Sequence, residues 1–143
     1  MESWKIIDLK VGQSSTEEIT INGEDLEEFA RLSGDVNPLH TNDDFAKKRG
    51  FKRKVVHGAL LSSYVSRLLG TSLPGRDCFL HQIKMRYIAP VYVEDTIKVS
   101  VELTHISESI GALDIGVNIK KSYEDIVVAK GQAQVGLTKE ISE

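Results

Sequence analysis

Asp35, Asn37 and His40 sit close together in the segment Phe29-Ala30-Arg31-Leu32-Ser33-Gly34-Asp35-Val36-Asn37-Pro38-Leu39-His40. A carboxylate and an imidazole are the side chains best suited to moving protons near neutral pH. Five positions apart on one loop, Asp35 and His40 can both touch a single water and divide the acid and base roles between them. The residues alone leave open which takes which role. Pro38 removes a backbone donor and pushes Asn37 away from helical geometry, so the stretch from Asp35 to Thr41 is expected to be a tight, irregular loop. Turn chemistry would account for Asp35, Asn37 and Pro38. It does not account for an imidazole at a fixed offset.

The elements that must hold this loop can be read on either side of it. Asn22, with Asp25 three residues on, is a helix-capping pair. Leu26, Phe29 and Ala30 then fall on one helical face until Gly34 ends the pattern. Asp43 to Arg49 predicts one or two helical turns stopped by Gly50, and Gly58 to Leu69 a longer helix stopped by Gly70. Leu60, Leu61, Tyr64, Val65, Leu68 and Leu69 make that longer helix apolar on most sides, so it should be buried.

Trp4 to Leu9 and Glu17 to Ile21 read as short strands. Phe79 to Ile88, Thr96 to Ile106, Ala112 to Lys121 and Ile126 to Leu137 read as long ones. Ile97, Val99, Val101 and Leu103 alternate with polar residues, as in a sheet with one dry face and one wet face. Such a sheet must bury its apolar face on something, and the helix from Gly58 is the strongly apolar element on offer. The fold class is therefore α+β: an antiparallel sheet wrapped around a central buried helix, the hot-dog fold.

The bulk properties fit one unit spanning 1–143. The chain has 143 residues, 41% hydrophobic and 27% charged, near the averages of soluble globular proteins. Met1-Glu2-Ser3-Trp4-Lys5 lacks the basic and then apolar order of a secretory leader, and Val55 to Leu69 is too short and polar to span a bilayer. A soluble, cytoplasmic protein without membrane contact is expected. Cys78 is the only cysteine, which excludes an internal disulfide and a multi-cysteine metal site. His57 reads as structural, and His81 and His105 as surface or cross-strand residues without acidic partners at ligand spacing, so no metal is expected. The net charge of −3 argues against a nucleic-acid binder. Lys47, Lys48, Arg49, Lys52, Arg53 and Lys54 nevertheless form a local basic cluster.

Gly34-Asp35-x-Asn37-Pro38-Leu39-His40 with Phe45-Ala46 resembles the signature of the MaoC-like, (R)-specific enoyl-CoA hydratases. Val55-Val56-His57-Gly58-Ala59-Leu60-Leu61 and the stretch from Ile83 to Asp95 resemble that family's next two blocks. The matches span most of residues 8–105. The resemblance implies (R)-specific hydration of a 2-enoyl-CoA or related enoyl thioester in a hot-dog homodimer, and the absence of ligand motifs implies that no cofactor is needed. It implies that Asp35 and His40 are catalytic and that Asn37 helps hold the loop. Gly58 is implied to offer its backbone N–H to the thioester carbonyl, which agrees with its place at the start of the buried helix.

Ser66 matches the family's supporting serine, and Ser62 lies on the same helical face. Lys54 stands where many relatives carry proline and extends the basic cluster, so Lys52, Arg53 and Lys54 are expected contacts for the phosphates of CoA. A hot-dog thioesterase and a non-catalytic acyl-thioester-binding subunit are the rival readings. Unpaired groups on the terminal strands also favour two sheets joining edge to edge.

Overall fold

A computed structural model describes residue 1 and residues 4–142; Glu2 and Ser3, part of the expected leaderless start, lie outside them. One sheet carries the architecture, in the order β1-β3-β4-β5-β2. Its strands are β1 (Ser14–Thr20), β2 (Cys78–Tyr87), β3 (Thr96–Ser107), β4 (Ala112–Lys121) and β5 (Val127–Leu137). Every neighbouring pair is antiparallel. Four helices intervene: α1 (Gly23–Ser33), α2 (Pro38–Thr41), α3 (Asp43–Lys48) and α4 (Gly58–Thr71). None of the helices is long and apolar enough to cross a membrane.

The expected core forms where α4 meets the dry face of the sheet. Leu60, Leu61, Val65, Leu68 and Leu69 of α4 are buried, as are Val99, Val101 and Leu103 of β3 and Leu113, Ile115 and Val117 of β4. Each such side chain contributes about 1.5–3 kcal/mol on leaving water. The capping box at the start of α1 forms: the Asp25 N–H donates to Asn22 Oδ1 (2.8 Å) and the Asn22 N–H donates to Asp25 Oδ2 (3.2 Å).

Four local expectations are corrected. Trp4 to Leu9 is no strand; it holds a 3₁₀ turn at Ile6–Asp8. A strand needs a ladder partner, and here the Asp8 and Leu9 N–H groups donate instead to the carbonyls of Lys5 and Ile6. The next strand runs from Ser14 to Thr20, leaving Ile21 outside it, fully buried in the core. Pro38 does not keep the loop irregular, because it occupies the first turn of α2, where its missing N–H would have had no partner. Gly70 does not stop α4, which runs on to Thr71; a single interior glycine costs only about 1 kcal/mol.

Candidate active site

Short-range bonds build the Asp35 loop. Gly34 ends α1 in the left-handed region (φ 76°), its N–H donating to Ala30 O, and a residue with a side chain would be strained there. The Asp35 N–H donates to Ser33 Oγ (3.1 Å), the Asn37 N–H to Asp35 Oδ1 (3.3 Å) and the Leu39 N–H to Asn37 Oδ1 (3.0 Å). Asn37 therefore caps α2 through its carboxamide oxygen.

Longer-range bonds fix the imidazoles. His40 Nδ1 lies 2.6 Å from Val55 O, and His57 Nε2 lies 3.0 Å from Asp35 O. A carbonyl oxygen only accepts, so each of these nitrogens carries a proton. In the neutral rings the lone pairs are then on His40 Nε2 and His57 Nδ1. The two rings stack with centroids 4.0 Å apart and planes at 24°, and Phe29 packs edge-on against His57. His57 is 1% exposed, whereas the Asp35 side chain faces solvent.

An oxygen of Asp35 and one nitrogen from each of His40 and His57 all lie within 4.8 Å of one another. This is the proximity that the sequence suggested for Asp35 and His40, with His57 added. Each imidazole has one nitrogen committed to a backbone carbonyl, which leaves one nitrogen per ring for other partners.

The N-terminus of α4 closes the site. The carbonyl of His57 accepts from the Leu60 and Leu61 N–H groups, while the Gly58 N–H has no acceptor among the described residues. A cavity of about 320 Å³ lies against it, lined by His40, Gly58, Leu61, Tyr87 and Ile88 among others. Tyr87 covers Gly58 so closely that a Cβ there would meet its ring at 3.0–3.1 Å. The Ser62 and Tyr87 hydroxyls are bonded to each other at 2.5 Å. Ser62 thus holds the tyrosine, and Ser66, one turn further, is exposed with no hydrogen-bond partner among the described residues.

The basic loop divides by function. Arg53 donates to Val93 O (2.9 Å) and lies over the Tyr92 ring, so its guanidinium ties the loop to the β2–β3 connection. The Lys52 and Lys54 side chains make no ion pair among the described residues, although the Lys54 backbone N–H donates to Asp43 Oδ1 (2.9 Å). Phe51 and Val55, on either side, line the cavity.

Tyr87 was not singled out from the sequence; it lies on β2 and enters through sheet packing, which no local pattern announces. His57 was read as structural, and its bond to Asp35 O and its stack on His40 are contacts that the sequence did not announce.

A sheet of this order around a buried α4 defines a hot-dog protein, and here an Asp-His pair lies beside the N-terminus of that helix. The model of the MaoC like domain matches residues 7–122, and the chain belongs to that family. It is 39% identical over 97 residues to the (R)-specific enoyl-CoA hydratase of Rhodospirillum rubrum, covering 68% of this chain and 67% of that protein. It is 32% identical over 127 residues to a mitochondrial 3-hydroxyacyl-[acyl-carrier-protein] dehydratase of Arabidopsis thaliana, covering 87% and 75%. Among solved structures, the (R)-hydratase from A. caviae involved in PHA biosynthesis superposes with a TM-score of 0.85 at 33% identity, covering 90% of this chain and 97% of that one.

Proposed function

We propose that the chain is a hydro-lyase that adds water to a 2-enoyl thioester, giving the (R)-3-hydroxyacyl thioester, and runs the same step in reverse. The carrying observation is that Asp35 clusters with His40, and His40 lines the same cavity as Gly58, whose N–H has no acceptor among the described residues. Conjugate addition needs those parts. A water oxygen attacks C3 while losing a proton, electron density moves onto the thioester oxygen, and C2 then takes a proton. The Gly58 N–H and the positive end of α4 favour the oxygen as it gains charge.

His40 Nε2 holds the lone pair that accepts a proton from the water, and the Asp35 carboxylate orients that water. The proton held between them is the one returned to C2. Asn37 keeps the loop in register through its cap, and Ser62 keeps Tyr87 over the thioester site. Ser66 lies on the same helical face. The (R) configuration is proposed from the family resemblance and the activity named for the Rhodospirillum rubrum relative.

Coenzyme A and a carrier protein are both proposed as handles, since the Rhodospirillum and Arabidopsis relatives are named for one and the other. Lys52 and Lys54 adjoin Phe51 and Val55 of the cavity lining and are the cations placed to meet a handle's phosphates. Arg53 is engaged in the scaffold. Two chains are proposed to join through a sheet edge, where Phe79 and Leu80 of β2 are exposed.

The deciding experiment incubates purified protein with a short 2-enoyl-CoA and analyses the products. The expected product is the (R)-3-hydroxyacyl-CoA. Exclusive (S) product overturns the assignment, free coenzyme A favours a thioesterase, and binding without turnover favours a non-catalytic subunit.

A further inference from the structure

We infer that His57 is the positioning residue that holds the proton-transfer pair in register with the helix N-terminus. This role rests on the hydratase reading of the site. His57 touches three parts of the site at once. Its Nε2–H is bonded to the backbone carbonyl of Asp35 (3.0 Å), which ties down the α1–α2 loop. Its ring stacks on His40 at 4.0 Å; stacking engages the ring face and not the edge nitrogens, so it fixes the plane of that imidazole while leaving Nε2 open. Its backbone is the N-cap of α4, one residue before Gly58.

No other described side chain both bonds the Asp35 backbone and packs on the His40 ring. The arrangement comes with a cost that packing alone does not demand. His57 Nδ1 is buried and has no hydrogen-bond partner among the described residues, and an unpaired buried polar atom is destabilising. A phenylalanine would fill the same space without that penalty. What it lacks is the Nε2–H donor to Asp35. Because a misplacement of about 1 Å can cost about 10²-fold in rate, the donor is expected to matter for turnover more than for folding.

Two substitutions separate the contacts. His57→Phe keeps a flat ring against His40 and removes the donor; His57→Gln keeps a donor at a similar reach and removes the ring. His57→Phe is expected to lower kcat by about tenfold or more, with KM within about twofold and a larger solvent deuterium isotope effect as proton transfer becomes slower. His57→Gln, which restores the donor but not the stack, is expected to recover part of the lost kcat. A purely structural histidine would instead lower the melting temperature and the active fraction in both variants and leave the isotope effect unchanged. That result, or wild-type kcat in His57→Phe, overturns the proposal.

A nitrogen-15 NMR spectrum of the wild type gives a readout independent of turnover. It is expected to show the His57 ring protonated at Nε2 and the His40 ring at Nδ1, with the Asp35 resonances shifting in His57→Phe. Unmoved Asp35 resonances overturn the positioning role even if the protein hydrates enoyl thioesters. If the wild type lacks hydratase activity but these shifts appear, the functional reading falls and the coupling stands.

Discussion

His40 and His57 stack ring on ring at 4.0 Å, yet each is anchored through a different nitrogen: His40 by Nδ1 to Val55 O, His57 by Nε2 to Asp35 O. The opposite anchoring has a chemical result. In the neutral rings one lone pair, on His40 Nε2, belongs to a ring that lines the cavity, and the other, on His57 Nδ1, is buried without a partner among the described residues. One of two adjacent imidazoles is thus available for proton transfer and its neighbour is withheld from it.

Replacing either proton-transfer group should therefore remove turnover while sparing the fold. Asp35→Asn and His40→Gln are each expected to lower kcat by about 10²-fold or more, the usual size of losing a positioned acid or base. Steady-state kinetics with a short 2-enoyl-CoA, run beside circular dichroism, makes the measurement. Folded variants with near-native rates would refute the proton-transfer roles of Asp35 and His40.

Gly58 and Tyr87 give a second test. A methyl group at Gly58 meets the Tyr87 ring at 3.0–3.1 Å, and that ring is held by its hydroxyl bond to Ser62. Gly58→Ala must tilt the tyrosine, at a cost of about 1 kcal/mol and about 2–4 °C in Tm. The methyl also intrudes beside the N–H proposed to receive the thioester oxygen, so kcat/KM should fall by about tenfold or more. Adding Tyr87→Ala makes room for the methyl. If Gly58→Ala is as active as the wild type, the thioester does not bind where the helix begins.

The parts of this molecule that were legible in its sequence are those whose causes are local. Asn22 and Asp25 cap α1 through bonds three residues long, and the alternation from Ile97 to Leu103 needs only the pleat of a strand. Asp35 and His40 were legible as a pair because five positions of chain keep them near each other. Where a second element decides the outcome, the sequence was mute or misleading. Trp4 to Leu9 has the apolar content of a strand but no ladder to join. Tyr87 reaches Gly58 only because β2 lies along α4, and Arg53 bonds Val93 O only because the β2–β3 connection passes beside it.

Cys78 sets a pH dependence of stability. Burial pushes its thiol up from the ordinary 9.0 to about 11. Between those values the unfolded chain loses the proton while the folded chain keeps it, so stability is fully present below about pH 9 and declines as pH rises toward 11. Tyr64, whose phenol is raised mainly by burial, adds to the decline from about pH 10 upward. Denaturant melts of the wild type and Cys78→Ser over this range should show a shallower decline in the variant. Equal slopes would mean that the thiol ionises alike in both states. The same burial lowers the small thiolate fraction present near neutral pH, so a thiol-specific reagent should label it more slowly in the folded protein than in the unfolded one.

The last prediction concerns the assembly. The sheet ends in β1 on one side and β2 on the other, and the outer edge of each leaves N–H and C=O groups without a ladder partner among the described residues. β1 is edged with Ser14, Ser15, Thr16, Glu17 and Glu18, polar residues of the kind that blunt an edge. β2 differs. Phe79 is 60% exposed at its start, and Tyr87 and Ile88 are 48% and 54% exposed at its far end, beside the cavity. Two copies joined along β2 would cover these apolar groups and pair the open edge, as the self-complementary contact of a two-fold dimer requires. Because Tyr87 and Ile88 belong both to that edge and to the cavity wall, each site would be finished by the neighbouring chain. Dissociation should then lower activity together with stability. Sedimentation across a dilution series, with activity measured on the same samples, tests this; a fully active monomer of 15.9 kDa would sink it.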